Sequence, residues 1–176
     1  MPYTVANVLE QEAEAAIAEW LMRVSQEPEI LAIALTPEER SAHLPAVFRD
    51  LVARLRERLP LGTPALMSDA AFDHGTKRRE QGYTPAMMVN ESRMLQVSIF
   101  EALQKYLPEI DSALLLGNVM TIADECAAQL EQAMSSYLVE AKQDAEPVEA
   151  WTPRFASSMQ SEKSAAMKRS SANLEK

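Results

Sequence analysis

Cysteine is almost missing from this chain. One residue, Cys126, occurs in 176. That excludes a disulfide framework and makes a reducing cytoplasm the natural setting. Histidine is nearly as scarce, with only His43 and His74. The sequence has no glycine-rich phosphate loop, no paired-cysteine or paired-histidine zinc motif and no nucleophile elbow. With so few reactive side chains, neither catalysis nor a metal site is expected. Long apolar runs are missing too. None approaches the ~20 residues needed to cross a bilayer, and the N-terminus lacks the basic-then-apolar order of a signal peptide. No membrane is therefore expected among the partners.

Positive charge is also in short supply. Residues 1–142 hold 21 acids against 12 Lys and Arg and carry the whole net charge of −9, whereas 143–176 hold five of each sign. Nucleic-acid binding rests on neutralising phosphates with a basic face, so this acidic chain is a poor candidate for it. An acidic domain of this kind suits association with other proteins. Only four glycines occur and strand-type alternation is rare, while Ala, Leu, Glu, Arg and Met dominate. The fold class predicted from this is all-α.

What is present is helical periodicity. Thr4 is placed to cap a first helix whose apolar stripe includes Val5, Val8, Leu9, Ala16, Trp20 and Val24, with Pro28 interrupting it. Thr36-Pro37-Glu38-Glu39 has the order of a capping box and predicts a short helix. Val47, Phe48, Leu51, Val52 and Leu55 mark the next helix, with Arg49, Arg54, Arg56 and Arg58 on its opposite face. Thr63-Pro64 predicts the start of a helix running through His74 to Gln81, with Gly82 as its cap. Thr84-Pro85 starts another at once. The last and longest helix is predicted from about 109 to 141. Its three heptads of stripe run through Leu116, Val119, Ala123, Cys126, Leu130 and Tyr137, a pattern that suits pairing with a second copy. Six helices result. From 143 the pattern breaks into a Ser- and Pro-containing tail or linker that is expected to be weakly ordered.

The junction between the fourth and fifth of these helices concentrates the polar chemistry. His74, Arg78 and Gln81 share one helix face, and Met88, Glu91 and Leu95 share the apolar face of the next. A glutamate on an apolar face needs a partner if buried, and Arg78 or Arg79 lies across the Gly82 turn. His74 is placed to join the same network. The plainest reading is a polar lock that fixes the angle between two helices, and the alternative is a ligand or signal site. No second histidine or acid stands at a metal-ligand spacing. His43 is expected to be a solvated histidine at a loop or helix end, and Cys126 a small buried hydrophobe.

The run His74-Gly75-x-x-Arg78-Arg79-Glu80-Gln81-Gly82-Tyr83, followed by Val89, Glu91, Arg93 and Leu95, resembles the hallmark of the RsbRD N-terminal domain family. These are bacterial sensory input domains named for a co-antagonist of RsbT in the stressosome. The resemblance covers roughly residues 4–142 and implies an RsbRD-N-like helical sensory domain over 1–142, with 143–176 as tail. It implies a globin-related helical bundle without an obligatory haem, a homodimer formed through the terminal helices, and sensing or docking rather than catalysis. The motif carries over as His74, Arg78, Arg79, Gln81, Gly82, Tyr83, Glu91 and Arg93. Members commonly continue into an output domain, whereas this sequence continues only into 143–176.

The expectation is thus a non-enzymatic, cytoplasmic input domain of a bacterial stress-response type of signalling pathway. It would pass a signal to output proteins through helix packing in a dimer. Two other readings stay open. One is a haem-binding, globin-like gas sensor with His74 as the proximal ligand. The other is a ligand-free adaptor whose acidic surface docks a basic partner.

Overall fold

The computed structural model describes residues 3–57, 59–62 and 68–144. Among these the fold is all-α, with α1 (Val5–Val24), α2 (Pro28–Leu31), α3 (Pro37–Ser41), α4 (Leu44–Glu57), α5 (Asp69–Glu80), α6 (Pro85–Gln104) and α7 (Ser112–Asp144). The chain divides into a unit of Met1–Lys142 and a second of Gln143–Lys176. Of the second, only the end of α7 is described. The expected tail beyond 144, the cap at Thr63-Pro64 and Arg58 lie outside the described residues. No helix among the described residues is long and apolar enough to cross a membrane.

The helix starts follow local chemistry. The Thr4 hydroxyl accepts from the Asn7 N–H at 3.2 Å. At α3 the capping box closes both ways, with Glu39 N–H donating to Thr36 Oγ1 and Thr36 N–H to Glu39 Oε2. Thr84 caps α6 through the Met87 N–H. α5 starts later than the expected Thr63-Pro64, because Ser68 is extended and caps it, its hydroxyl accepting from Ala71 N–H. The one segment the periodicity did not predict is the single turn α2. Pro28 does not merely interrupt the first helix, because it takes the first position of a new turn that buries Ile30.

The core gathers the predicted stripes of α1, α4, α6 and α7 around Leu9, Trp20, Leu51, Ile99 and Ile122. Two positions fix how α5 enters this bundle. Gly82 sits at φ +86, a conformation that favours glycine. Its N–H bonds to the Arg79 carbonyl while the Tyr83 N–H bonds to the Arg78 carbonyl, both at 2.9 Å. This Schellman turn reverses the chain from α5 into α6. Gly75 lets α5 lie directly on α7: a Cβ there would fall 1.9 Å from the Ala133 carbonyl oxygen and 2.1 Å from Ser136 Oγ. The Ser136 hydroxyl is shared between the Phe72 and Ala133 carbonyls across that contact.

Candidate functional site

The Schellman turn places the end of α5 against the start of α6. Arg78 and Glu91 therefore meet inside the protein, each only 2% exposed. Arg78 Nε donates to Glu91 Oε2 at 3.0 Å, Nη1 to Gln81 Oε1 at 2.8 Å and Nη2 to the Arg40 carbonyl at 2.6 Å. Its guanidinium also lies 4.5 Å from the centroid of the Tyr83 ring, a cation–π contact strengthened by burial. Arg78, Gln81, Tyr83 and Glu91, four residues of the sequence motif, are thus brought together.

Other elements converge on the same point. The Trp20 indole N–H of α1 donates to the Glu91 carbonyl at 3.0 Å, and the Tyr137 hydroxyl of α7 donates to the Tyr83 carbonyl at 2.8 Å. Arg40, absent from the sequence reading of the site, is buried beside them. It donates to the Ile30 and Ile33 carbonyls and to the Tyr83 hydroxyl. Nothing in its local sequence marks it, because the capping box before it is a surface feature and its burial comes from how α2 and α3 fold back on Tyr83.

Burial raises the Glu91 carboxyl above the usual range, and the Arg78 charge opposes the rise. The neighbouring Tyr83 hydroxyl also favours the charged form, but no donor among the described residues reaches Glu91 Oε1 in hydrogen-bonding geometry. Burial likewise pushes the Tyr83 phenol up to about 12, with the Glu91 charge adding to the rise.

His74 departs from expectation. It makes no ion pair or hydrogen bond to the lock but stacks on His43, with ring centroids 3.7 Å apart and planes at 17°. His43 in turn meets Trp20 edge-on at 6.1 Å. The expectation of a solvated His43 is therefore corrected: the turn before α4 carries the ring inward against α1 and α5. Burial, followed by the charges of Arg78 and Lys77, lowers His74 to about 3. Burial, then His74, Arg78 and Lys77, holds His43 well below its ordinary value. Both imidazoles are neutral at pH 7.

The two rings line two hollows. On one side is a cavity of about 50 Å³ among Trp20, Val47, Met88, Glu91, Leu95 and Leu130. On the other is a groove of about 210 Å³ bordered by Glu39, Asp73, Lys77, Arg78 and Gln81. The cavity is far smaller than the roughly 300–1,000 Å³ that accommodates a larger ligand, and His43 covers the face of His74. A haem with His74 as proximal ligand does not fit this arrangement. Among the described residues no group of three His, Cys, Asp or Glu could hold a metal ion, and the in-plane lone pairs of two stacked rings do not converge on one point.

The remaining motif residues lie apart from the lock. The Arg79 guanidinium sits 5.4 Å from the centroid of the Tyr137 ring. Arg93 is exposed and bonds to Asn90 Oδ1, because it falls on the outer face of α6. The stripe proposed for pairing also divides. Leu116 is 70% exposed, Val119 and Ala123 are half-buried, and Cys126 is buried in the core of its own chain. Leu130 and Tyr137 pack against that core as well. The inward half of the expected interface is thus a correction: α5 and α6 occupy it. Burial pushes the Cys126 thiol up to about 12, with the Glu125 charge adding to the rise, so it is a weak nucleophile.

A second buried polar group was not legible at all. Arg54, expected on the outer face of α4, is 2% exposed. It pairs with Asp124 at 3.4 Å and Glu125 at 3.7 Å, and Gln129 donates to Glu125 at 3.0 Å. The crossing of α7 over α4 covers a position that the helical period alone assigns to solvent.

The chain matches no protein-family model, no curated protein and no solved structure.

Proposed function

We propose that this chain is a non-enzymatic, cytoplasmic input domain of the kind its central motif resembles, the RsbRD N-terminal domains of bacterial stress signalling, with a globin-related arrangement of helices. One observation carries the reading. The buried Arg78–Glu91 pair is bonded to groups from α1, the α2–α3 region and the end of α5, and α7 reaches the adjoining Tyr83 carbonyl through Tyr137. A buried ion pair contributes little net stability but gives a sharp penalty when one partner is removed, and in this reading the pair selects one helix arrangement. Such a junction suits a protein that signals by choosing between two packings of its helices. The bare Leu116 end of α7 is the surface through which a homodimer forms, and output proteins read the change.

Spin labels at Asp69→Cys and Gln104→Cys, the exposed far ends of α5 and α6, report the angle between these helices. The buried native thiol of Cys126 stays unlabelled. The wild-type chain is expected to give one distance and Glu91→Gln a second population, with helicity retained. A single unchanged distance in Glu91→Gln would mean that the junction selects no helix arrangement, and the reading would be wrong.

A further inference from the structure

Glu91 presents an unusual combination. Its carboxylate is buried, one oxygen is taken by Arg78, and Oε1 has no hydrogen-bond donor among the described residues. A buried polar atom left in this state calls for a partner. The same residue lines the 50 Å³ cavity, whose other walls include Met88, Leu95 and Leu130. The walls are thus mostly apolar, and Glu91 among them carries an unmet acceptor.

Size and charge narrow the occupant. One water-sized probe needs roughly 10–15 Å³, so this volume holds about four heavy atoms. A carboxylate is excluded by Glu91 itself. An ammonium is disfavoured by the charges of Arg78 and Lys77, which already oppose the protonation of His43 and His74. A neutral molecule with a donor remains. His43 and His74 line both the cavity and the neighbouring groove, so the stacked pair borders the site.

We propose that this cavity binds a small neutral hydroxyl compound of about four heavy atoms. Its O–H is donated to Glu91 Oε1, its carbons lie against Met88, Leu95 and Leu130, and the His43–His74 stack borders it. This deepens the regulatory reading by naming a ligand class for the lock. The two fail separately, because spin-label distances report the lock and the following titration reports the cavity.

The test uses the full chain labelled with ¹³C at the methionine methyls, with the Met88 resonance identified by Met88→Leu. The probes are 2-propanol and acetone, which share one heavy-atom skeleton and differ in the donor. The expected result is a saturable shift of the Met88 methyl with 2-propanol and at least tenfold weaker binding of acetone. Leu130→Phe, which fills the cavity, abolishes the saturable shift while the other methyl signals keep their folded positions. Equal saturation by acetone would remove Glu91 Oε1 from recognition and overturn the proposal. A linear, unsaturating drift with both compounds would overturn it too, leaving water as the occupant.

Discussion

His43 lies face to face with His74, ring centroids 3.7 Å apart, in a setting that keeps both rings uncharged. They belong to different helical neighbourhoods, and neither has a carboxylate among the causes of its shift. Burial dominates, and the cations Arg78 and Lys77 reinforce it. The pair is therefore sensitive to acid.

The sign follows from linkage. An unfolded histidine takes up its proton near pH 6.5, whereas folded His74 resists until about 3. The unfolded state binds more protons between these values, so stability falls as pH drops from 6.5 towards 3. At pH 5 the loss from His74 alone is about 2 kcal/mol. The raised carboxyls of Glu91 and Glu125 act the other way, above the ordinary carboxylate value. Urea midpoints at pH 7 and pH 5 check this, with His74→Phe expected to flatten the dependence. An unchanged slope in that variant would remove His74 as its source.

Removing one partner of the lock leaves the other charge buried and alone. Glu91→Ala is expected to cost about 3–5 kcal/mol, against roughly 0.5 kcal/mol or less for the exposed Glu131→Ala. Denaturant unfolding of the two variants gives the comparison, and equal midpoints would mean that Arg78 finds another counter-charge.

Two glycines in helices should respond in opposite directions. Gly75→Ala drives a Cβ into the Ala133 carbonyl, and that atom is backbone and cannot swing aside. It should destabilise by about 1–3 kcal/mol or more as α5 lifts off α7. Gly117 has nothing within 4 Å of its added Cβ, and Gly117→Ala should stabilise by about 0.5–1 kcal/mol through better helix propensity. Thermal melts of both variants decide it.

Leu116→Glu changes a residue that is 70% exposed. Its melting temperature should stay near that of the parent while sedimentation shows a monomer in place of a dimer. Leu130→Glu puts a charge against the core and should unfold the chain. A dimer that persists in Leu116→Glu would remove this end of α7 from the interface.

Much of the candidate site was legible. Glu91 on an apolar stripe demanded a counter-charge, and Arg78 across the Gly82 turn supplied it, because both residues are local to one helix–turn–helix. Arg40, Arg54 and His43 were not legible. Each has an ordinary surface signature in its own segment, and an element distant in sequence buries Arg40 and Arg54 and half-covers His43.

By itself, then, the sequence determined the all-α class, most of the capped helix starts and the pairing across Gly82. These depend on periodicity, caps and neighbours a few residues apart, which the chain states locally. Only the tertiary structure decided that His43 would stack on His74, that the inner half of the α7 stripe would face its own core, and that Glu91 would retain an unmet oxygen beside a cavity. Those outcomes depend on the angles at which helices cross. The angles are set by contacts such as Gly75 against Ala133, which no single segment contains.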